Sequence, residues 1–455
     1  MLSLPKVAGP LLRGFSIAFT KPTFQRALLL FVAFVLTPGR HTVTRALATT
    51  RALCRGHFSG YHRVLSRARW SPWPLGRVLA AAVLELVPAG GPVVCPVDDT
   101  CAQHRGRRVY GKGRHRDGCR ATRTHNVWLW GHCWVVLAVN VTFPFAPSRP
   151  WALPVLCALY RTREANEAEG RRRHKTPAVL ARQLVAALVR WFPDRKFVLL
   201  GDGHYAGHAL ARFCRRHRRR LTLVSLLHPR AHLCQPPPPR RKGQMGRPRV
   251  RGPKLPHPQD TVAGARAKRR RATVGWYGGK QRRVEFVTGT GHWYKATEGL
   301  VPVRWVFVHD RDGTHRDTYV YSTDPSLSPS AIVTLYTARW SVEVTFQEAK
   351  QHLGLATPRS RTAASVLRTA PCLLGLFSLV AVLFHRHTRG GVRPPRPRAH
   401  PWYAKREVTF SDALAAVRRL FWQQTVFAVP VQHDALKKLP RKLRDTLLDQ
   451  LSRAA

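Results

Sequence analysis

Apolar and polar positions along this chain follow two rhythms, short β-prone runs and helical stripes. Residues 91–100, Gly91-Pro92-Val93-Val94-Cys95-Pro96-Val97-Asp98-Asp99-Thr100, are apolar until they end in acids, which predicts a strand delivering a carboxylate. Residues 127–143 are β-branched and aromatic enough for a strand or strand pair of the same sheet. A long helix is expected over 164–192, with an acidic start and an apolar stripe through Leu180, Leu184, Leu188 and Trp191. Residues 196–200 read as a buried strand, Gly201-Asp202-Gly203-His204-Tyr205 as the turn into a helix reaching residue 217, and 221–227 as a further strand.

Beyond a Pro-rich basic stretch over 235–258, the pattern turns to β between 273 and 323, with a turn at Asp310-Arg311-Asp312-Gly313. A single helix is expected from 330 to 353, stopped by Gly354. The 22–88 region has helical periodicity, with two or three short helices over 41–69, and suits either a helical DNA-binding module or a bundle packed on the core. The apolar runs 27–36 and 371–384 are shorter than the ~20 residues of a membrane span and read as buried helices. Residues 356–455 are helical and basic, amphipathic over 436–451, and suited to packing on the core or to dimerisation. The expected division is 1–88 helical, 89–228 first part of the core, 229–327 basic linker and β-rich insertion, 328–390 core helices, and 391–455 helical and basic.

Composition narrows the partner. With 77 Lys+Arg against 23 Asp+Glu, the formal net charge of +54 calls for a polyanion. The charge is spread along the chain instead of forming a short basic segment beside an amphipathic helix, which favours nucleic acid over a membrane surface. The four residues Gly246-Arg247-Pro248-Arg249 fit either an AT-hook core or a solvated basic linker. Nine cysteines are scattered without a Cys-x-x-Cys pair, and the amino terminus shows no secretion signal, so a reducing cytoplasm is expected. Cys95, Cys101 and His104 match no common zinc spacing. The absence of a Gly-x4-Gly-Lys-Ser/Thr loop leaves no sign of ATP use.

The expected 330–353 helix carries the most chemistry. Tyr336, Arg339, Glu343 and Lys350 fall at about 0°, 300°, 340° and 320° around it, on one stripe. Leu335, Val342, Phe346, Ala349 and Leu353 form an adjoining apolar stripe. One face therefore packs on the core while its edge presents a carboxylate flanked by cations. Asp98 and Asp202 are each expected where an apolar strand ends, a place that holds a carboxylate rigidly beside a cleft. Three converging carboxylates need a cation, and hard oxygen ligands select Mg²⁺ or Mn²⁺. Two such ions clamp an in-line phosphoryl displacement. Only one of Asp98 and Asp99 can face the cleft from a strand; Asp98 follows the apolar run directly, and Asp99 stays open as neighbour or ligand. Lys112, in Gly111-Lys112-Gly113-Arg114-His115, is a candidate DNA contact or part of a solvated turn.

The spacing Tyr336-x2-Arg339-x3-Glu343-x6-Lys350 resembles the Tyr-Arg-Glu-Lys signature of bacterial insertion-sequence transposases in the DDE superfamily. Asp98-Asp99-Thr100 resembles the first motif of that family and Asp202-Gly203-His204-Tyr205 the second, in the family's order, so the resemblance covers roughly residues 90–355. It implies an α/β fold with a ribonuclease-H-like mixed sheet, a β-rich insertion between the second Asp and the Glu, and helical terminal regions. It also implies Asp98, Asp202 and Glu343 as ligands of two Mg²⁺ or Mn²⁺ ions, and Tyr336, Arg339 and Lys350 as phosphate contacts. The activity implied is cut-and-paste cleavage and strand transfer at terminal inverted repeats into target DNA, by a homodimer, in the bacterial nucleoid. Some relatives pass through a DNA hairpin and stack a flipped base on a Trp of the insertion, for which Trp305 and Trp293 are the candidates here. A catalytically silent, transposase-derived DNA-binding protein is the competing expectation.

Overall fold

The computed structural model describes residues 2–118, 120–122, 124–170, 173–240, 245–265, 269–390, 405–428 and 438–453. Parts of the expected 235–258 linker and of the 391–455 region, including the start of the 436–451 stretch, lie outside the described residues, as does Cys119.

The sheet begins with β1 (Val93–Gln103), β2 (Gly113–Arg116), β3 (Trp128–Phe143) and β4 (Ala146–Tyr160). β1 runs antiparallel to β3 with Asp98 opposite Val136, and β3 runs antiparallel to β4. β5 (Phe197–Leu200) and β6 (Leu221–Leu226) then join in parallel on the other side of β1, so the central order is β4-β3-β1-β5-β6. Three antiparallel strands followed by two parallel ones that arrive through helices make a ribonuclease-H-like core. All four residues of β5 are buried, as expected of a parallel strand covered on both faces.

The β4 strand was not apparent in the sequence because Pro147, Pro150 and Pro154 interrupt it. Among the described residues its one strand partner is β3, so it tolerates missing backbone donors, and register shifts lie at Leu137/Ala138 and Val141/Phe143. β1 also exceeds expectation: pairing with the long β3 carries it to Gln103, which puts Asp98 and Asp99 in mid-strand instead of at its end.

β7 (Leu233–Cys234) lies ahead of the Pro-rich stretch, and the β-prone segment forms β8 (Arg270–Gly275), β9 (Gln281–Lys295), β10 (Gly299–Asp310) and β11 (Thr318–Ser322). β11 pairs with β6 through Val320 and Leu226, so these strands extend the core sheet.

The N-terminal region forms α1 (Gly9–Gly14), α2 (Lys21–Leu36), α3 (Val43–Thr49), α4 (Ser59–Ser66) and α5 (Pro72–Leu84). The helix expected over 164–192 is two, α6 (Arg163–Glu167) and α7 (Pro177–Trp191). Gly170 takes a φ of 64°, and a new start follows with Thr176 accepting from Val179 N ahead of Pro177. α8 (His208–Arg216) follows β5, and α9 (Pro258–Gly264) precedes β8.

The helix expected over 330–353 divides into α10 (Pro329–Ala338) and α11 (Ser341–His352). At the junction the backbone tightens to shorter-range bonds, Arg339 N to Tyr336 O, Trp340 N to Thr337 O and Glu343 N to Trp340 O. α12 (Ala363–Arg389) is 27 residues long and crosses β4, far beyond the expected 371–384 run. It is long and apolar enough to cross a membrane by length and composition, with 78% of its most apolar window buried inside the protein. α13 (Phe410–Phe421) and α14 (Arg441–Ser452) complete the fold. The buried Arg418 of α13 donates to the carbonyls of Val35 and Thr37, so a cation satisfies the C-terminal end of α2.

Candidate active site

Strand alternation separates the two adjacent aspartates. Asp98 turns toward the α10–α11 junction, where Arg339 Nη1 donates to its Oδ2 at 2.6 Å. Arg339 Nη2 donates to Glu343 Oε1 at 2.8 Å, so one guanidinium bridges the first and third acids of the expected set. The planar fork suits this role because it offers parallel donors to two carboxylates.

Asp99 faces other partners. Tyr205 Oη donates to its Oδ1 at 3.4 Å, the Cys133 thiol donates to its Oδ2 at 3.3 Å, and His204 Nδ1 lies 3.8 Å from Oδ1. Burial opposes the Asp99 charge, but the bonds from His204, Cys133 and Tyr205 outweigh it and hold the carboxyl below its ordinary value. The same contact with Asp99 pushes the His204 imidazolium up to about 9.

Asp202 follows β5 and starts a tight turn, accepting from His204 N at 2.9 Å. Gly201 is required before it, since a Cβ there would lie 2.6 Å from Cβ of Tyr205, which folds back beneath. Ser225 Oγ donates to the backbone carbonyls of Gly201 and Asp202 and fixes the turn to β6.

Burial, together with Asp202 and Asp99 nearby, pushes the Asp98 carboxyl up to about 7 even against the pull of Arg339. Negative groups therefore outnumber the cation that faces them. Burial pushes the Tyr336 phenol up to about 12, Asp202 adding to the rise and Arg339 opposing it. Tyr336 thus stands within the electrostatic reach of both. Lys350 is exposed two turns beyond Glu343, and no ion pair among the described residues engages it.

Hard carboxylate oxygens around a cation are the donor set a divalent metal requires, and Arg339 already acts as a cation between two of them. Among the described residues, the group whose ligand atoms all lie within 4.8 Å of one another is Asp99, Cys101 and Cys133. Asp98, Asp202 and Glu343 are spread wider, with the guanidinium filling the gap between Asp98 and Glu343. The combination Cys95, Cys101 and His104 does not form; Cys95 is fully buried elsewhere on β1, and the His104 ring packs on His132.

The candidate DNA contacts differ in their surroundings. Trp305 is 3% exposed in the core of the extended sheet, its indole packed over Gly289, because inward alternation of β10 buries it. Trp293 is also packed, edge-on against His208 and Tyr321. Lys112 donates to the Gly106 carbonyl at 2.7 Å and lies 5.7 Å from the Trp130 ring. Trp128 and Trp130 are among the exposed aromatics, with Arg114 stacked 4.7 Å from the Trp128 ring. Their period-two spacing in the sequence was the available signal.

The sequence profile of the DDE superfamily endonucleases matches residues 14–283. The chain belongs to this family. Members of this DDE family generally use divalent metal ions, in keeping with the carboxylate cluster. The matched span contains Asp98 and Asp202 and stops before Glu343, which Arg339 joins to Asp98. Among solved structures, a piggyBac transposase synaptic complex with hairpin DNA aligns with 98% of this chain and 80% of its own, at 11% identity and a TM-score of 0.42. No curated protein matches the chain.

Proposed function

We propose that this DDE endonuclease is a transposase that cleaves DNA at the ends of an insertion sequence and transfers the freed 3′ hydroxyl to a target strand. The observation that carries the reading is the Arg339 fork, which gathers Asp98 from β1 and Glu343 from α11 beside Asp202. In this reading Asp98, Asp202 and Glu343 hold two Mg²⁺ or Mn²⁺ ions, which when bound activate the attacking hydroxyl and stabilise the leaving oxygen. Asp99 orders the neighbouring turn through Tyr205 and His204. Tyr336, Arg339 and Lys350 orient phosphates of the cleaved end.

The formal charge of +54 supports a DNA partner, and the exposed Trp128 and Trp130 beside Arg114 and Lys112 offer stacking and charge together. Terminal inverted repeats, a homodimer on DNA and a cytoplasmic, nucleoid-associated location belong to the same proposal. Cleavage of labelled duplex carrying the repeat, with Mg²⁺, Mn²⁺ or EDTA, tests it. Metal-dependent nicking at the repeat boundary supports the reading, whereas end-specific binding without nicking replaces it with a silent DNA-binding protein.

A further inference from the structure

Cys101 of β1 and Cys133 of β3 stand directly opposite each other in the ladder, with Sγ atoms 2.7 Å apart. Directly opposed residues of an antiparallel pair have Cα atoms about 4.5–5.5 Å apart, inside the range of about 4.4–6.8 Å that a disulfide bridges. Both are free thiols here. Cys133 is 5% exposed, while Cys101 is partly open to solvent, so only Cys101 can meet a reagent first. The Cys133 thiol also donates to Asp99 Oδ2 at 3.3 Å, which ties the pair to the strand that carries Asp98.

We infer that Cys101 and Cys133 are a reversible dithiol–disulfide pair that closes by exchange with a small-molecule disulfide such as oxidised glutathione. Cys101, after losing its proton to solvent, attacks one sulfur of the reagent. A mixed disulfide forms and one small thiolate leaves. Cys133 then loses its proton and attacks Cys101 Sγ, forming the protein disulfide and expelling the second small thiolate. Both thiolates take up protons, so the two cysteines lose two electrons and the reagent gains them.

Closure has two structural consequences. Sγ of Cys133 no longer carries a proton, so Asp99 loses one of its donors. β1 also becomes covalently tied to β3 close to Asp98 and Asp99. Oxidation therefore lowers DNA cleavage, a consequence that rests on the proposed function, while the disulfide itself does not.

The test is peptide mapping of the full chain after incubation with oxidised glutathione, acid quench and alkylation, without DNA. The expected product is the Cys101 peptide joined to the Cys133 peptide, lighter by two hydrogens than their sum and separated by dithiothreitol. Cys133→Ser is expected to retain glutathione on Cys101. Separate alkylation or separate glutathione adducts of both cysteines in the wild type overturns the pair. So does stoichiometric Zn²⁺ binding that protects both thiols without a link, which assigns them with Asp99 to a metal. In the cleavage assay, oxidised wild type is expected to lose activity on the order of tenfold and regain it with dithiothreitol, while Cys101→Ser keeps its activity. Equal inhibition of both overturns the coupling; absence of cleavage in the reduced protein contradicts the proposed function and leaves the mapping result standing.

Discussion

Arg339 reaches Asp98 at 2.6 Å from a helix junction far along the chain, and its second nitrogen holds Glu343 at 2.8 Å. Asp98 and Arg339 are both largely buried, so removing the guanidinium leaves an uncompensated carboxylate. Arg339→Ala is expected to cost about 3 kcal/mol in denaturant unfolding without metal. Mn²⁺ should raise the stability of the variant more than that of wild type, since the competing cation is gone. Arg339→Lys should recover little, because an ammonium cannot fork between two carboxylates. An equal Mn²⁺ response in wild type and variant contradicts the displacement of one cation by another.

Asp98 and Asp99 should separate by mutation. Asp98→Asn is expected to abolish metal-dependent cleavage, while Asp99→Asn, which acts through Tyr205, His204 and Cys133, should lower metal affinity about 10–100-fold and retain slow cleavage. Titration calorimetry with Mn²⁺ beside the cleavage assay checks this. The reverse order of severity would make Asp99 the ligand.

The β10–β11 turn depends on Asp310, which accepts from Arg282 Nε and Nη2, both at 2.8 Å, and from Thr314 and His315. The Arg282 bonds hold the Asp310 carboxyl well below the usual carboxylate range. The folded value lies below the unfolded one, so this contribution is full above about pH 4 and is lost as pH falls through the folded value. In Asp310→Asn the part of the stability lost between pH 5 and acid should shrink, measured as unfolding midpoint against pH. An unchanged slope contradicts it.

Trp305→Ala should act as a core truncation. A loss of about 4 kcal/mol in unfolding free energy is expected, with DNA affinity of the folded protein unaltered. In contrast, Trp130→Ala should weaken DNA binding with little effect on stability, since the residue is 56% exposed. Gel-shift titration beside urea unfolding distinguishes the two.

The positions of the candidate acids were easier to read from the sequence than the elements around them. Asp202 was legible because a four-residue apolar strand ends in glycine before it, and Glu343 because its spacing from Arg339 puts both on one stripe. Arg339, which joins Glu343 to Asp98, was legible as a charge and not as a bridge, since a helical stripe does not say what lies opposite. Asp98 and Asp99 could not be told apart without the register against β3. β4 was hidden by three prolines that only an edge position permits. Gly170 and Pro177 marked the break between α6 and α7, but the apolar stripe of α7 drew the expected helix across them. The α10–α11 break has no such marker, because Arg339 and Trp340 keep helical dihedrals while their hydrogen bonds shorten in range. Trp305 resembled a DNA contact by type; its burial follows from sheet pairing that sequence spacing alone does not give.

The central claim is that Asp98, Asp202 and Glu343 act together on DNA ends. Its most direct measurement compares wild type with Glu343→Gln on a labelled duplex carrying the terminal repeat, with Mg²⁺ or Mn²⁺ and with EDTA. The account predicts nicking at the repeat boundary that requires the metal and disappears in Glu343→Gln while end binding persists. Nicking that survives in Glu343→Gln, or in EDTA, would contradict it.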